Sequence, residues 1–285
     1  MVRPRSIRKD RRQVSIAGVA TVKPMSPPLP YLVAAGRRLE YRWIPATRRD
    51  APPLVFLHEG LGSLALWSAF PDRLAAATGS SALIYSRYGF GRSEPLHEPR
   101  TPDYLEREAL DALPAVLEDR GIERPVLVGH SDGATIALIH AAAGRWPVCG
   151  LVLEAPHVFV EDATIRGIER ARAEYDAGRL REKLQPWHEG VDATFRGWAD
   201  LWLMPGFRAW NIERMLPGIR CPVLVIQGEQ DRYGTAAQLE AIERGAGGPV
   251  ETMMLANCGH APHAEQPEIV LAAMTRFIGA LRPVA

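Results

Sequence analysis

Gly129-His130-Ser131-Asp132-Gly133 follows the apolar run Pro125-Val126-Leu127-Val128 and precedes Ala134 to Ala143, a stretch of small residues that form helix well. The run before it is short, continuous and β-branched, which predicts a strand buried on both faces. Strand, tight G-x-S-x-G turn and helix together form the context in which this pentapeptide presents a serine as a nucleophile. Glycines flank the turn because it is too tight for side chains there. The serine hydroxyl is lifted above the sheet edge, and the backbone N–H groups that follow it open a helix, where developing negative charge is stabilised.

Working outward, the same alternation recurs. Tyr31 to Ile44 holds two apolar or aromatic stretches around Ala35-Gly36-Arg37-Arg38, which predicts an opening β-hairpin. Buried strands are predicted at Pro53 to Leu57 and Ala82 to Tyr85, and further strands at Val148 to Leu153, Pro222 to Ile226 and Val250 to Leu255. Helical spacing falls between them, at Ser63 to Ala77, Pro102 to Glu118, Ala236 to Arg244 and Pro267 to Leu281. The rhythm predicts an α/β fold, a doubly wound, mostly parallel sheet of about eight strands.

One segment interrupts it. Between Glu154 and Pro222 no convincing strand occurs, while Thr164 to Lys183 and Ala193 to Leu203 read as amphipathic helices. So large an insertion is seldom a plain connection. We expect a helical cap over 157–213, inserted after the sixth strand, with a core formed by 31–156 and 214–285. The segment 1–30 is basic and then proline-rich, through Arg3, Arg5, Arg8, Lys9, Arg11, Arg12, Pro24, Pro27, Pro28 and Pro30. It reads as a disordered arm and linker.

Composition narrows the function classes. The chain of 285 residues has 47% hydrophobic and 24% charged residues and a net charge of +1. That balance points to neither nucleic acid nor a membrane surface as partner. No apolar run reaches the ~18–20 residues of a membrane span. The three cysteines, Cys149, Cys221 and Cys258, have no metal-ligand spacing. Cys149 and Cys221 lie in or beside core strands and read as small buried hydrophobes, so the expectation is a reducing, cytoplasmic setting with no metal and no cofactor.

A serine hydroxyl needs a base to take its proton and a third group to orient that base. His260 stands in Asn257-Cys258-Gly259-His260-Ala261-Pro262, directly after the last predicted strand, and Asp231 in Gly228-Glu229-Gln230-Asp231-Arg232, after the strand before it. Catalytic groups on such sheets gather at the carboxyl ends of the strands. Five motifs in order then carry a resemblance. They are Leu57-His58-Glu59-Gly60-Leu61-Gly62, Ser86-Arg87-Tyr88-Gly89-Phe90-Gly91-Arg92-Ser93, the serine turn, Gly228-Glu229-Gln230-Asp231 and Gly259-His260.

From about Tyr31 onward the chain resembles the α/β-hydrolase superfamily. The resemblance implies Ser131 as nucleophile, Asp231 as orienting acid and His260 as general base. It also implies an oxyanion hole formed by the N–H groups of Gly60 and Asp132 and a small-molecule ester-like substrate. Two positions depart from the superfamily pattern: Glu59 replaces a glycine in the oxyanion loop, and Ser86 replaces an aspartate after the fourth strand. His263 is the alternative base, and Glu229, Glu154 and Asp162 are the alternative acids. His130 and Asp132 flank the serine and read as supporting residues. His58 reads as a packing or hydrogen-bonding residue of its loop, and His97, His140, His157 and His188 as surface or helix residues, with His157 also placed to face the pocket.

The aromatics Trp187, Trp198, Trp202, Trp210, Phe195 and Phe207 either anchor the cap or line the substrate cavity. Trp198, Trp202 and His157 are the candidate pocket residues. No arginine cluster suited to a phosphate or dicarboxylate is evident. The resulting expectation is ester hydrolysis, with carbon–carbon, lactone or amide cleavage, acyl transfer, or ligand sensing on the same fold as its rivals.

Overall fold

The computed structural model describes residues 29–281, so the basic arm up to residue 28 lies outside the described residues. An eight-stranded sheet runs in the order β1-β2-β4-β3-β5-β6-β7-β8. Its strands are β1 Tyr31–Ala34, β2 Arg37–Ile44, β3 Leu54–Leu57, β4 Ala82–Tyr85, β5 Val126–His130, β6 Gly150–Glu154, β7 Val223–Gly228 and β8 Val250–Leu255. β1 pairs antiparallel with β2, and β2 antiparallel with β4; every other pairing is parallel.

Alternation along the strands divides the interior in two. Leu54, Phe56, Val126, Val128, Val152, Leu224 and Ile226 face one buried cluster. Val55, Leu57, Leu127, Leu151, Leu153, Val223 and Val225 face the other. Both faces are therefore dry, which is why the strands read as unbroken apolar runs. Helices α1 (Phe70–Thr78) and α10 (Pro267–Ala280) cover the first face through Phe70, Leu74, Val270, Met274 and Phe277. On the second lie α2 (Tyr104–Arg107), α3 (Leu113–Arg120), α4 (Asp132–Ala143) and, later in the chain, α8 (Ala236–Gly245).

Chain order places the functional loops. After β3 the chain crosses to β4 on one side, then returns to lay β5 on the other. The loops leaving β3 and β5 consequently diverge from neighbouring strands, with Leu57 in register with Gly129, and open a crevice at the carboxyl edge.

Between β6 and β7 the chain is helical, through α5 (Asp162–Asp176), α6 (Arg179–Leu184) and α7 (Val191–Trp202). Two expected helices are shorter than their periodicity suggests. The run 63–77 is a 3₁₀ turn, Leu64–Trp67, followed by α1, because Ser68 adopts φ 52° between them. The run 164–183 divides into α5 and α6 at Gly178, whose φ of 84° is left-handed and open to glycine at little cost. The hydrophobic stripe continues across both breaks, which is why periodicity alone does not register them. Cys149 and Cys221 are partly exposed rather than buried, and Cys258 is the buried one.

Candidate active site

Ser131 is the N-cap of α4, with φ 52° and ψ −117°, a conformation a non-glycine residue holds only where its surroundings impose it. The two flanking glycines supply the room. A Cβ on Gly129 would lie 2.5 Å from the Gly133 carbonyl oxygen, and one on Gly133 would lie 1.9 Å from that of Leu57. The helix thus enters against the end of β3 with no space for a methyl group. The serine is 8% exposed and its N–H donates to the Glu154 carbonyl at 2.8 Å.

His260 and Asp231, 29 residues apart in the chain, meet at the ends of β8 and β7: His260 Nδ1 lies 2.9 and 2.8 Å from the two carboxylate oxygens. Asp231 also accepts from the Gln227 amide (2.7 Å) and the Tyr233 N–H (2.8 Å). Burial alone would raise this carboxyl, but the neighbouring His260 and those donors outweigh it and hold it below the usual aspartate range. An ionised Asp231 fixes the proton on Nδ1 and leaves Nε2 as a lone pair, the tautomer a general base requires. The Tyr233 ring packs on the imidazole at 4.6 Å between centroids. Among the described residues no hydrogen bond joins Ser131 Oγ to His260, a contact that often tightens only with substrate in place. The loops that carry them are joined: His130, adjacent to the serine, bonds the His260 carbonyl at 2.6 Å.

Three of the four alternatives are engaged elsewhere, and Glu229 is exposed. His263 Nδ1 donates to Glu154 at 2.8 Å, so the rival base and one rival acid satisfy each other. Asp162 pairs with Arg208 at the surface.

In the loop after β3, where the oxyanion donors are expected, neutral His58 accepts the Arg87 N–H at Nε2 (3.0 Å) and contacts the Glu59 carbonyl through Nδ1 (2.7 Å). Burial pushes His58 well below the usual histidine range, which keeps it neutral. The buried Arg87 guanidinium donates to the carbonyls of His58 and Glu59 at 3.2 and 3.1 Å and so stiffens the same loop. The N–H groups of Gly60 and Asp132 donate to no other group among the described residues. The Asp132 carboxylate is turned downward, taking the Tyr104 hydroxyl. Ser86 stands in for the expected aspartate by joining Glu40: its hydroxyl donates to Glu40 at 2.6 Å and accepts the Leu64 N–H at 2.9 Å.

The helical insertion lies over these loops. The Trp198 indole covers Gly60 so closely that a Cβ there would sit 2.2 Å from Nε1. Trp202 donates to the Tyr104 hydroxyl at 3.2 Å, and its ring meets His157 edge-on at 5.4 Å. His157 in turn lies 6.1 Å from the His260 ring, and burial lowers its pKa. Phe195 stacks on Tyr175, and Phe207 on Trp210, so these aromatics hold the insertion together.

One expectation needs correction: His157 and His188 are buried and bonded, not surface residues, while His140 is a buried and bonded residue of helix α4. His188 accepts the Gly91 N–H at Nδ1 and contacts the Leu61 carbonyl through Nε2, both at 3.0 Å, joining the insertion to two loops. Two arginines also converge beneath the insertion: Arg87 and Arg100 flank the Phe90 ring at 4.6 and 4.7 Å. Arg87 stands two residues past an apolar strand, an unusual position for a buried cation and the one signal in the sequence that could have marked it.

An open groove of about 520 Å³, lined by Phe159, Arg208, Trp210, Asn211 and Arg244, lies beside the insertion, and no member of the Ser131, Asp231 and His260 set lines it. No cluster of metal-binding side chains occurs among the described residues, and no helix there is long and apolar enough to cross a membrane.

Residues 54–273 match the model of the alpha/beta hydrolase family. A 2-succinyl-6-hydroxy-2,4-cyclohexadiene-1-carboxylate synthase of Salmonella paratyphi A is 28% identical over 193 residues, 67% of each chain. A thermophilic esterase of Thermogutta terrifontis superposes with a TM-score of 0.67 at 22% identity, over 87% of this chain and 97% of that one. A 2-hydroxy-6-oxo-6-phenylhexa-2,4-dienoate hydrolase of Rhodococcus reaches 0.75 at 15% identity, over 88% and 98%.

Proposed function

This chain belongs to the alpha/beta hydrolase family, and on that premise we propose that it is a cofactor-free serine hydrolase cleaving a small or medium carboxylic ester. The observation that carries the proposal is the His260–Asp231 pair, with Nδ1 on the carboxylate, on a loop joined through His130 to the strained serine at the head of a helix. Ser131 Oγ attacks the carbonyl carbon as His260 Nε2 takes its proton. The N–H groups of Gly60 and Asp132 hold the resulting oxyanion. Collapse expels the alcohol, which leaves with the proton from His260. Water, activated by the same nitrogen, then releases the acid from the acyl-serine. The helical insertion acts as a cap, with Trp198, Trp202 and His157 bordering the space above the serine.

A second reading is supported by the synthase relative and the Rhodococcus hydrolase: the same three side chains would act at a carbon–carbon bond. An ester panel graded by acyl length, run on wild type and Ser131→Ala, tests the first reading. The variant should lose on the order of 10³-fold or more in kcat. Equal turnover by both proteins would end the serine mechanism. A wild type inert to every ester, but active on a vinylogous 1,5-diketone, would select the second reading.

A further inference from the structure

Glu59 is an awkward residue for an oxyanion loop, since a carboxylate beside Gly60 opposes the charge that develops there. Its side chain is turned aside. The carboxylate curls over Gly62, where a Cβ would lie 2.3 Å from Oε2, and reaches His130 Nδ1 at 3.4 Å. That distance is close for an ion pair and long for a well-formed hydrogen bond. The other nitrogen of the same ring, Nε2, lies 2.6 Å from the His260 carbonyl oxygen.

The protons can be counted. A carbonyl oxygen only accepts, so Nε2 must carry hydrogen. Among the described residues Nδ1 has no hydrogen-bond partner, and it faces a carboxylate oxygen, an arrangement that attracts when Nδ1 carries hydrogen and repels when it carries a lone pair. The other charges packed around this ring are already matched. Asp231 is taken by His260, whose ring is 5.1 Å from that of His130. Glu154 is taken by His263, at 5.3 Å between rings. Glu265 accepts the N–H groups of Gly259 and Ala261. The remaining neighbour is the Trp67 ring at 6.3 Å. Burial alone would raise the Glu59 carboxyl, but contact with His130 outweighs it and holds the carboxyl well below the usual range.

We infer that Glu59 and His130 are positioning residues: a proton-sharing couple, neutral overall, that pins the backbone of His260 to the oxyanion loop. The inference rests on His260 being the base, as proposed above. One side chain, directly before the nucleophile, then ties together the three loops that carry base, serine and oxyanion donors. Because the couple is neutral, it adds little charge against the imidazolium that His260 becomes during turnover.

The test uses the full chain with Glu59→Ala, Glu59→Gln and His130→Gln. Glu59→Ala should lower kcat by roughly 10- to 100-fold with KM little changed, the scale of a misplaced catalytic group. Glu59→Gln should recover most of kcat, since its amide can donate to Nδ1. His130→Gln keeps a donor for the His260 carbonyl and should behave like Glu59→Gln. Independently of turnover, nitrogen NMR of histidine-labelled protein should find both ring nitrogens of His130 protonated at neutral pH, in wild type and in Ser131→Ala alike. In Glu59→Gln only Nε2 should be protonated. An unprotonated Nδ1 in the wild type, or a Glu59→Ala variant with wild-type kcat, would overturn the couple. If Glu59→Ala does not fold, the kcat of Glu59→Gln and the NMR signal decide. A doubly protonated His130 in a protein whose turnover ignores Ser131 would retain the couple and reject the serine reading.

Discussion

Two imidazole–carboxylate pairs stand three residues apart on one loop, and each has Nδ1 2.8 Å from its carboxylate. His260–Asp231 opens toward the insertion, with the imidazole 21% exposed and Nε2 unengaged. His263–Glu154 faces inward: the imidazole is 8% exposed and packed on Trp67 and Phe70, at 4.6 and 5.6 Å between rings. Glu154 also accepts the His263 N–H at 3.0 Å, which fastens the start of α9 (Pro262–Glu265) to the end of β6. The chemistry of the two pairs is the same. What separates a base from a structural brace is which ring nitrogen can meet a substrate, and that is decided by packing.

The strongest way to break this comparison is to disable the carboxylates in turn. Asp231→Asn should lower kcat on the order of 10³-fold or more, because the amide no longer holds the imidazole in its productive tautomer. Its fold should be little changed. Glu154→Gln should leave kcat within a few-fold of wild type, because its partner does not reach the serine. Steady-state kinetics on the best ester checks both. Equal losses from the two substitutions would mean that the inner pair also takes part in turnover.

Stability should show the reverse order. Glu154→Gln strips the partner from a buried imidazole, a change worth about 3 kcal/mol or more. Asp231→Asn retains hydrogen bonds from Gln227 and Tyr233 and should cost less. Urea unfolding of the two variants, read at constant slope, measures the difference. If Asp231→Asn proves the less stable protein, the inner pair is not the brace.

The pH dependence sharpens the point. Burial alone would lower His263, but Glu154 outweighs it and holds it above its usual 6.5. Glu154, which burial would raise, is held below its usual 4.5 by His263. A raised histidine contributes stability that is full below 6.5 and is lost as pH rises through its folded value. A lowered carboxyl contributes stability that is full above 4.5 and is lost as pH falls through its folded value. The pair should therefore stabilise most between about 4.5 and 6.5. Thermal unfolding of wild type against the His263→Gln, Glu154→Gln double variant should show the largest gap in that window and convergence on both sides. A gap independent of pH would assign the effect to packing.

Which of these features the sequence discloses follows from how far apart the partners lie. The sheet is legible because its central strands, β3 to β7, each carry their own signal: four to six mostly apolar residues bounded by turn formers. The serine turn is legible for the same reason, since strand, glycines and helix are contiguous from Pro125 to Ala143. His260 and Asp231 are legible as candidates because each directly follows a recognisable strand. The partner of His263 lies 109 residues away and that of His188 as many as 127, and no local pattern encodes such meetings. Arg87 shows the same limit. Its place after β4 is visible, while its task, holding two carbonyls of a loop 28 and 29 residues earlier, exists only after the sheet has formed.

The smallest expected effect concerns the insertion above the outer pair. Trp202 is held from two sides, by the Tyr104 hydroxyl at its indole nitrogen and by Phe207 at 5.0 Å, so its position is set before any substrate arrives. Its ring also abuts His157, which stands next to His260. If this ring borders the acyl site, Trp202→Ala enlarges that site and should shift preference several-fold toward longer acyl chains, while Ser131-dependent turnover persists. One lost or gained contact in an apolar pocket is worth only about 1–3 kcal/mol, so the shift should stay modest beside the loss in Asp231→Asn. Relative kcat/KM across the graded ester panel measures it. A flat profile in which every ester slows equally would assign Trp202 to holding the insertion together, and would leave Trp198, pressed against Gly60, as the aromatic that meets the substrate.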